Sequence, residues 1–279
     1  MALKKFAGNC PVWFGIVITL LLIVVEILVG VVSYGVEDPV MLRLVATVVR
    51  GLGAVLWLVL LYRLGWLGAS GVSRLGDWRL WVLVLALTVY DVGAHMWAFF
   101  GDLRLPIEDP VLAAVTALRH IVDGGLTQEL AFRGLVLCAL VQAWGRSRRG
   151  LVKSALVSSA IFGLVHVVNL VAVLAIGDKA AAMVGMQVVS TLLAGVYYAA
   201  LVLYGGSFWP VAVIHAALNA TVNVRAIATP GFEETMSAWV IIILSQIPMV
   251  ILGIHLLMRA SARTDDVGAE PREVVVPGC

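Results

Sequence analysis

The stretch PVWFGIVITLLLIVVEILVGVVSY, residues 11–34, carries a single charged side chain, Glu26. An α-helix rises about 1.5 Å per residue, so this run is long enough to cross a hydrocarbon core of roughly 30 Å. Lys4 and Lys5 precede it as they would precede a signal peptide. The run is too long for one, however, and no small-residue cleavage site follows, so the sequence predicts an uncleaved first membrane helix.

Outward from this stretch the pattern recurs. Apolar segments at roughly 40–62, 78–100, 121–144, 151–176, 180–204, 207–226 and 238–259 are separated by polar or turn-forming residues. The chain is 62% hydrophobic and 13% charged, with mean hydropathy +1.03, which excludes a water-soluble fold. The expectation is an all-α, polytopic membrane protein of about eight transmembrane helices. It reads as one domain over 1–260 with a polar tail over 261–279. Glu108, Asp109 and Pro110 resemble a helix start, and 111–119 reads as an interfacial helix ahead of the fourth span. No internal repeat is evident, which disfavours a transporter built from duplicated halves.

With the N-terminus in the cytoplasm, twelve Lys and Arg residues fall on the cytoplasmic side and five on the other. Both termini are therefore expected to be cytoplasmic, in a multi-pass protein of a prokaryotic cell membrane. A net charge of +2, with the bases in membrane-flanking clusters, gives no footprint for nucleic acid. The expected partners are membrane lipid and a membrane-associated polypeptide, and oligomeric state is left open. Cys10, Cys138 and Cys279 show no metal or disulfide spacing. Cys279 lacks the three residues that follow a prenylated cysteine.

An ionisable group in a membrane helix costs several kcal/mol unless partnered, so each is a functional candidate. In the fourth span, Gln128-Glu129 precede Arg133, and Glu129 and Arg133 lie four apart on one helical face. In the fifth, Phe162, His166 and Asn169 share a face. In the seventh, His215 and Asn219 form another i, i+4 pair. Glu26 and Arg50, mid-span in consecutive helices, read as a structural ion pair, and Asp91 with His95 as a structural pair. His95 and His255 read as hydrogen-bonded to neighbouring helices. His120 and Asp123 read as solvated at the outer end of the fourth helix. Trp78, Trp81, Trp209 and Trp239 fit an interfacial aromatic belt.

The three motifs resemble the CPBP family of intramembrane proteases, also called the CAAX protease and bacteriocin-processing family. Its pattern is EExxxR, FxxxH and HxxxN on successive membrane helices. Here these appear as Gln128-Glu129-xxx-Arg133, Phe162-xxx-His166 and His215-xxx-Asn219, within a core at 121–226. The resemblance implies an endopeptidase acting on a membrane-associated or lipidated polypeptide. It implies water activation by the glutamate motif with His166, an oxyanion hole from His215 and Asn219, and Arg133 holding the carboxylate. Phe162 and Asn169 would contact substrate. The chemistry stands on its own terms too, since peptide hydrolysis needs a base for water and fixed donors for the developing oxyanion.

Gln128 departs from the pattern, because it occupies the first glutamate position and an amide takes no proton near neutral pH. Three readings are open from sequence. Glu129 serves as base in a variant subfamily, or the chain is a non-catalytic scaffold or regulator, or a glutamate has been replaced in an inactive form. A small transporter is a further alternative. No cofactor is expected. Zinc is the alternative there, since two histidines and a carboxylate are typical ligands, although no HExxH is present.

Overall fold

In the computed structural model, residues 2–170 and 178–267 are described, and side chains are described up to Ser261 with a gap at 171–180. Among the described residues there are helices and turns but no strand. The helices are α1 (Ala2–Asn9), α2 (Pro11–Val32), α3 (Pro39–Leu64), α4 (Trp78–Phe100), α5 (Pro110–Trp144), α6 (Arg148–Val168), α7 (Asp178–Gly205), α8 (Trp209–Ile227) and α9 (Met236–Val267). Eight of them, α2 to α9, contain segments long and apolar enough to cross a membrane. The chain is an all-α, polytopic membrane protein, with Leu20, Val24, Ile27 and Val31 of α2 turned outward. Outward apolar side chains suit lipid as solvent, where each backbone group must be satisfied inside its own helix.

The helix boundaries follow from local chemistry. Asp38 accepts from the Met41 N–H and is followed by Pro39, Asp77 accepts from Arg79, and Asp109 accepts from Val111 and Leu112 ahead of Pro110. Ser147 caps α6 by accepting from Gly150. Gly65 and Gly101 end α3 and α4 in the left-handed conformation that glycine adopts without strain. The connection between α3 and α4 docks on the turn between α7 and α8. The Phe208 and Ser207 donors reach Gly71 O and Arg74 O, and Trp209 Nε1 donates to Val72 O. Gly71 has φ +76°, and a Cβ there would meet backbone atoms of Gly206 and Phe208 at 2.9 Å, so this docking requires glycine.

Two apolar clusters hold the bundle. One joins α4, α5, α6, α7, α8 and α9 around Tyr197, Tyr198, Leu201 and Ile214. The other joins α1, α2, α3, α5, α6 and α8 around Phe14, Trp57, Phe132 and Phe208. Close helix approach uses small residues in the manner of membrane bundles, as where Gly195 of α7 lies against Ser159 of α6. Outside the spans, Arg104 hydrogen-bonds Asp102 and holds its carboxyl below the usual range, and Asp102 also reaches Arg225 of α8 at 3.6 Å.

α5 is the central helix, the most buried of the spans, and it differs from expectation. Residues 111–119 form no separate interfacial helix; they are the first turns of one helix running to Trp144. Its middle is wound as π-helix over Ile121–Gln128 and Leu130–Leu137. π-Turns widen a helix and occur mostly at functional sites. α6 is helical to Val168, and 171–176, expected to complete the fifth span, lie outside the described residues apart from that limit. α9 continues to Val267, into the segment read as a polar tail, and residues 268–279 lie outside the described residues.

Candidate active site

The π-wound part of α5 faces α8 across a pair of glycines. A Cβ on Gly124 would stand 2.6 Å from Asn219 Nδ2 and 3.2 Å from His215 Nε2, and one on Gly125 would stand 2.7 Å from Ala216 Cβ. Only glycine lets α8 lay His215 and Asn219 against this stretch of α5. Thr127 Oγ1 donates to the Val122 carbonyl five residues back and also lies 2.9 Å from the Arg50 carbonyl, which ties α5 to α3.

Glu129 is fully buried. Its Oε1 lies 2.6 Å from His215 Nδ1 and 3.2 Å from Arg133 Nη1. The guanidinium of Arg133 stacks over the Phe162 ring at 4.1 Å and faces Tyr198 at 5.1 Å, while its Nε and Nη2 make no hydrogen bond. Cation–π contact and one carboxylate thus offset the desolvation of this arginine. The expected Glu129–Arg133 pair is present, but the histidine against Glu129 is His215, not His166.

His166 sits at the end of α6, with Nδ1 3.0 Å from the Phe162 carbonyl. A carbonyl only accepts, so Nδ1 carries the proton and a neutral ring presents its Nε2 lone pair. Phe162 packs edge-on to both imidazoles, 5.5 Å from His166 and 5.9 Å from His215 by ring centres, and so sets their spacing. Asn169 donates to Gln187 Oε1 of α7 at 2.9 Å.

Gln128, Phe162, His166, Asn169, His215 and Asn219 all line one cavity of about 650 Å³. Glu129 and Arg133 stand behind its wall. The cavity also carries Leu22, Ile23 and Ile27 of α2, Val165 and Val168 of α6, and Phe99 and Trp239. Ile27 is 58% and Val168 44% exposed, so on α2 and at the end of α6 the cavity is lined by side chains that also face outward. Trp239 packs on Phe99 at 5.5 Å as part of this wall, a place the aromatic-belt expectation did not give it.

Several residues outside the motifs belong to the same cavity. His120 and Asp123, expected to be solvated, are buried cavity residues. Asp123 Oδ1 accepts from Gln128 Nε2 at 3.0 Å, and its Oδ2 lies 3.4 Å from Arg50 Nε. Arg50 in turn holds Glu26 through two hydrogen bonds, as the sequence suggested. α-Helical spacing gives no signal for Asp123, because its side chain meets that of Gln128, five residues on, where the helix is π-wound. Farther along, His95 lines the cavity but bonds the Asp91 carbonyl of its own helix, while Tyr197 of α7 donates to Asp91 Oδ2. His255 is exposed on α9 and, among the described residues, makes no interhelical hydrogen bond. Among the described residues no three His, Cys, Asp or Glu side chains converge as ligands for a metal.

No curated protein and no solved structure matches the chain significantly. A family model does match over residues 110–221, which span α5 to α8 and hold every residue of the three motifs. Over this segment the chain is similar to the type II CAAX prenyl endopeptidase Rce1-like family, in agreement with the CPBP-type pattern of its site residues.

Proposed function

We propose that this cavity hydrolyses a peptide bond in a membrane-associated polypeptide, one that carries a lipid or an equivalent apolar anchor. The family match supports a CAAX-type intramembrane endopeptidase. The observation that carries the assignment of roles is the 2.6 Å contact between the buried Glu129 carboxylate and His215 Nδ1, beside Asn219 on the cavity wall.

In this reading Glu129 does not touch water. It is the counter-ion that lets His215 carry a proton on both nitrogens, so that His215 Nε2–H and Asn219 Nδ2–H donate together to the oxyanion. Preorganised donors in a water-poor site contribute most where charge develops. His166, with Nδ1–H fixed on the Phe162 carbonyl, accepts a proton from water at Nε2 and returns it to the leaving amine. Arg133 fixes Glu129, and Phe162 holds the two imidazoles apart. An apolar anchor would reach the cavity from the bilayer along its apolar lining, Ile23 and Ile27 of α2 with Val165 and Val168 of α6.

The test is mass spectrometry of protein termini in host membranes, comparing a deletion strain complemented with the native chain, His166→Ala or His215→Ala. New termini with the native chain alone support the reading and identify the substrate. Identical termini in all three strains overturn it in favour of a binding or regulatory role.

A further inference from the structure

Hydrolysis as proposed leaves Gln128 without a task. An uncharged amide stands at the cavity-facing position of a motif that resembles a pair of glutamates, and Glu129, the remaining carboxylate, is committed behind the wall to His215 and Arg133. A negative charge is nevertheless present at this point of the cavity, on Asp123. The π-winding of Ile121–Gln128 brings the fifth-neighbour side chains into register, and Asp123 Oδ1 accepts the Gln128 Nε2 hydrogen at 3.0 Å. Both residues line the cavity with His166.

We propose that Asp123 is a positioning residue that acts through Gln128, supplying to the water site the negative charge absent from position 128. This rests on the hydrolytic reading above. A carboxylate only accepts, so its bond fixes the amide orientation: nitrogen toward Asp123, carbonyl Oε1 free on the other side. Donation to an anion polarises the amide and makes Oε1 a stronger acceptor. Gln128 Oε1 then holds one hydrogen of the nucleophilic water while His166 Nε2 removes the other. No proton resides on Gln128 at any step. The charge that develops on His166 is offset by Asp123 on the same cavity.

The surrounding groups keep Asp123 in this role. Arg50 Nε approaches the other oxygen at 3.4 Å and is itself chelated by Glu26, so the Glu26–Arg50–Asp123 set carries one net negative charge. Arg119 lies on the same cavity wall and opposes that charge, but among the described residues it makes no ion pair with Asp123. Arg50 is shared between two carboxylates and so is not given over to Asp123 alone.

The experiment is a double-mutant cycle on the purified full-length protein in liposomes, with an internally quenched, S-farnesylated peptide ending in a CAAX sequence. Asp123→Asn, Gln128→Leu, the double variant and His166→Ala are compared across pH. Gln128→Leu leaves the Glu26–Arg50–Asp123 set intact and serves if Asp123→Asn fails to fold. Each single variant is expected to lower kcat by about 10- to 100-fold with little change in KM, the scale of a lost acid–base contribution. The double variant should be no slower than either single one, as for residues acting in series. Asp123→Asn with Gln128→Glu should recover activity, because the charge returns at position 128. Full activity of Gln128→Leu, additive losses, or no recovery in the Gln128→Glu combination would each overturn the inference and leave the hydrolytic reading standing. Native protein no faster than His166→Ala would overturn both.

Discussion

Replacing Glu129 by Gln keeps the shape of the side chain and removes its charge. The consequence follows from what surrounds it. Glu129 is fully buried, its Oε1 is shared by Arg133 and His215, and Arg133 is itself 1% exposed with two nitrogens already unpaired. Among the described residues no other carboxylate lies within ion-pair range of Arg133. The variant therefore strands a buried guanidinium, and breaking one side of a buried pair costs about 3–5 kcal/mol. Activity should fall in parallel, since His215 loses its counter-ion, by at least the 100-fold or so that follows removal of one oxyanion donor. The assay is denaturant or thermal unfolding in detergent alongside kcat/KM on the farnesylated peptide. Glu129→Gln with Arg133→Met removes both charges and should regain part of the stability, because no buried guanidinium is left without its counter-ion. It should regain none of the activity. If the double variant is as unstable as the single one, or if Glu129→Gln matches the native protein in stability and rate, the counter-ion reasoning is wrong.

His215→Gln keeps an N–H donor where His215→Ala has none, so it should retain more kcat than His215→Ala with KM little changed. Asn219→Ala should lower kcat by roughly 100-fold with KM little changed, as for an oxyanion donor, measured on the same peptide. Gly124→Ala should separate α5 from α8, because its Cβ would fall 2.6 Å from Asn219 Nδ2; a loss of about 1–3 kcal/mol in unfolding free energy and a larger loss of turnover are expected.

Much of this fold is written in hydropathy. Eight segments announced themselves because lipid-facing helices must be apolar almost throughout, and Asp109 before Pro110 marks a start that the structure caps as expected. The start of α5 was misjudged for an instructive reason. Arg119, His120 and Asp123 look like residues of a membrane surface, but their side chains turn into a polar cavity, and an inward-facing charge needs no water outside the bundle. The pairing of Glu129 with Arg133 was legible because an α-helical period brings i and i+4 together. The pairing of Asp123 with Gln128 was not, because the local period is that of a π-helix. Nor does sequence spacing say which of two histidines meets a glutamate across helices. That choice depends on Gly124 and Gly125 admitting α8 to contact, a packing fact invisible to pattern.

The central claim is that the cavity between α5, α6 and α8 cleaves peptide bonds with His166 and the Glu129–His215 pair. Its most direct test is mass spectrometry of products after incubating the purified protein in liposomes with an S-farnesylated CAAX peptide. The account predicts release of the C-terminal tripeptide by the native chain, and loss of that release in both His166→Ala and Glu129→Gln. No release by the native chain, or equal release by the His166→Ala protein, would contradict it.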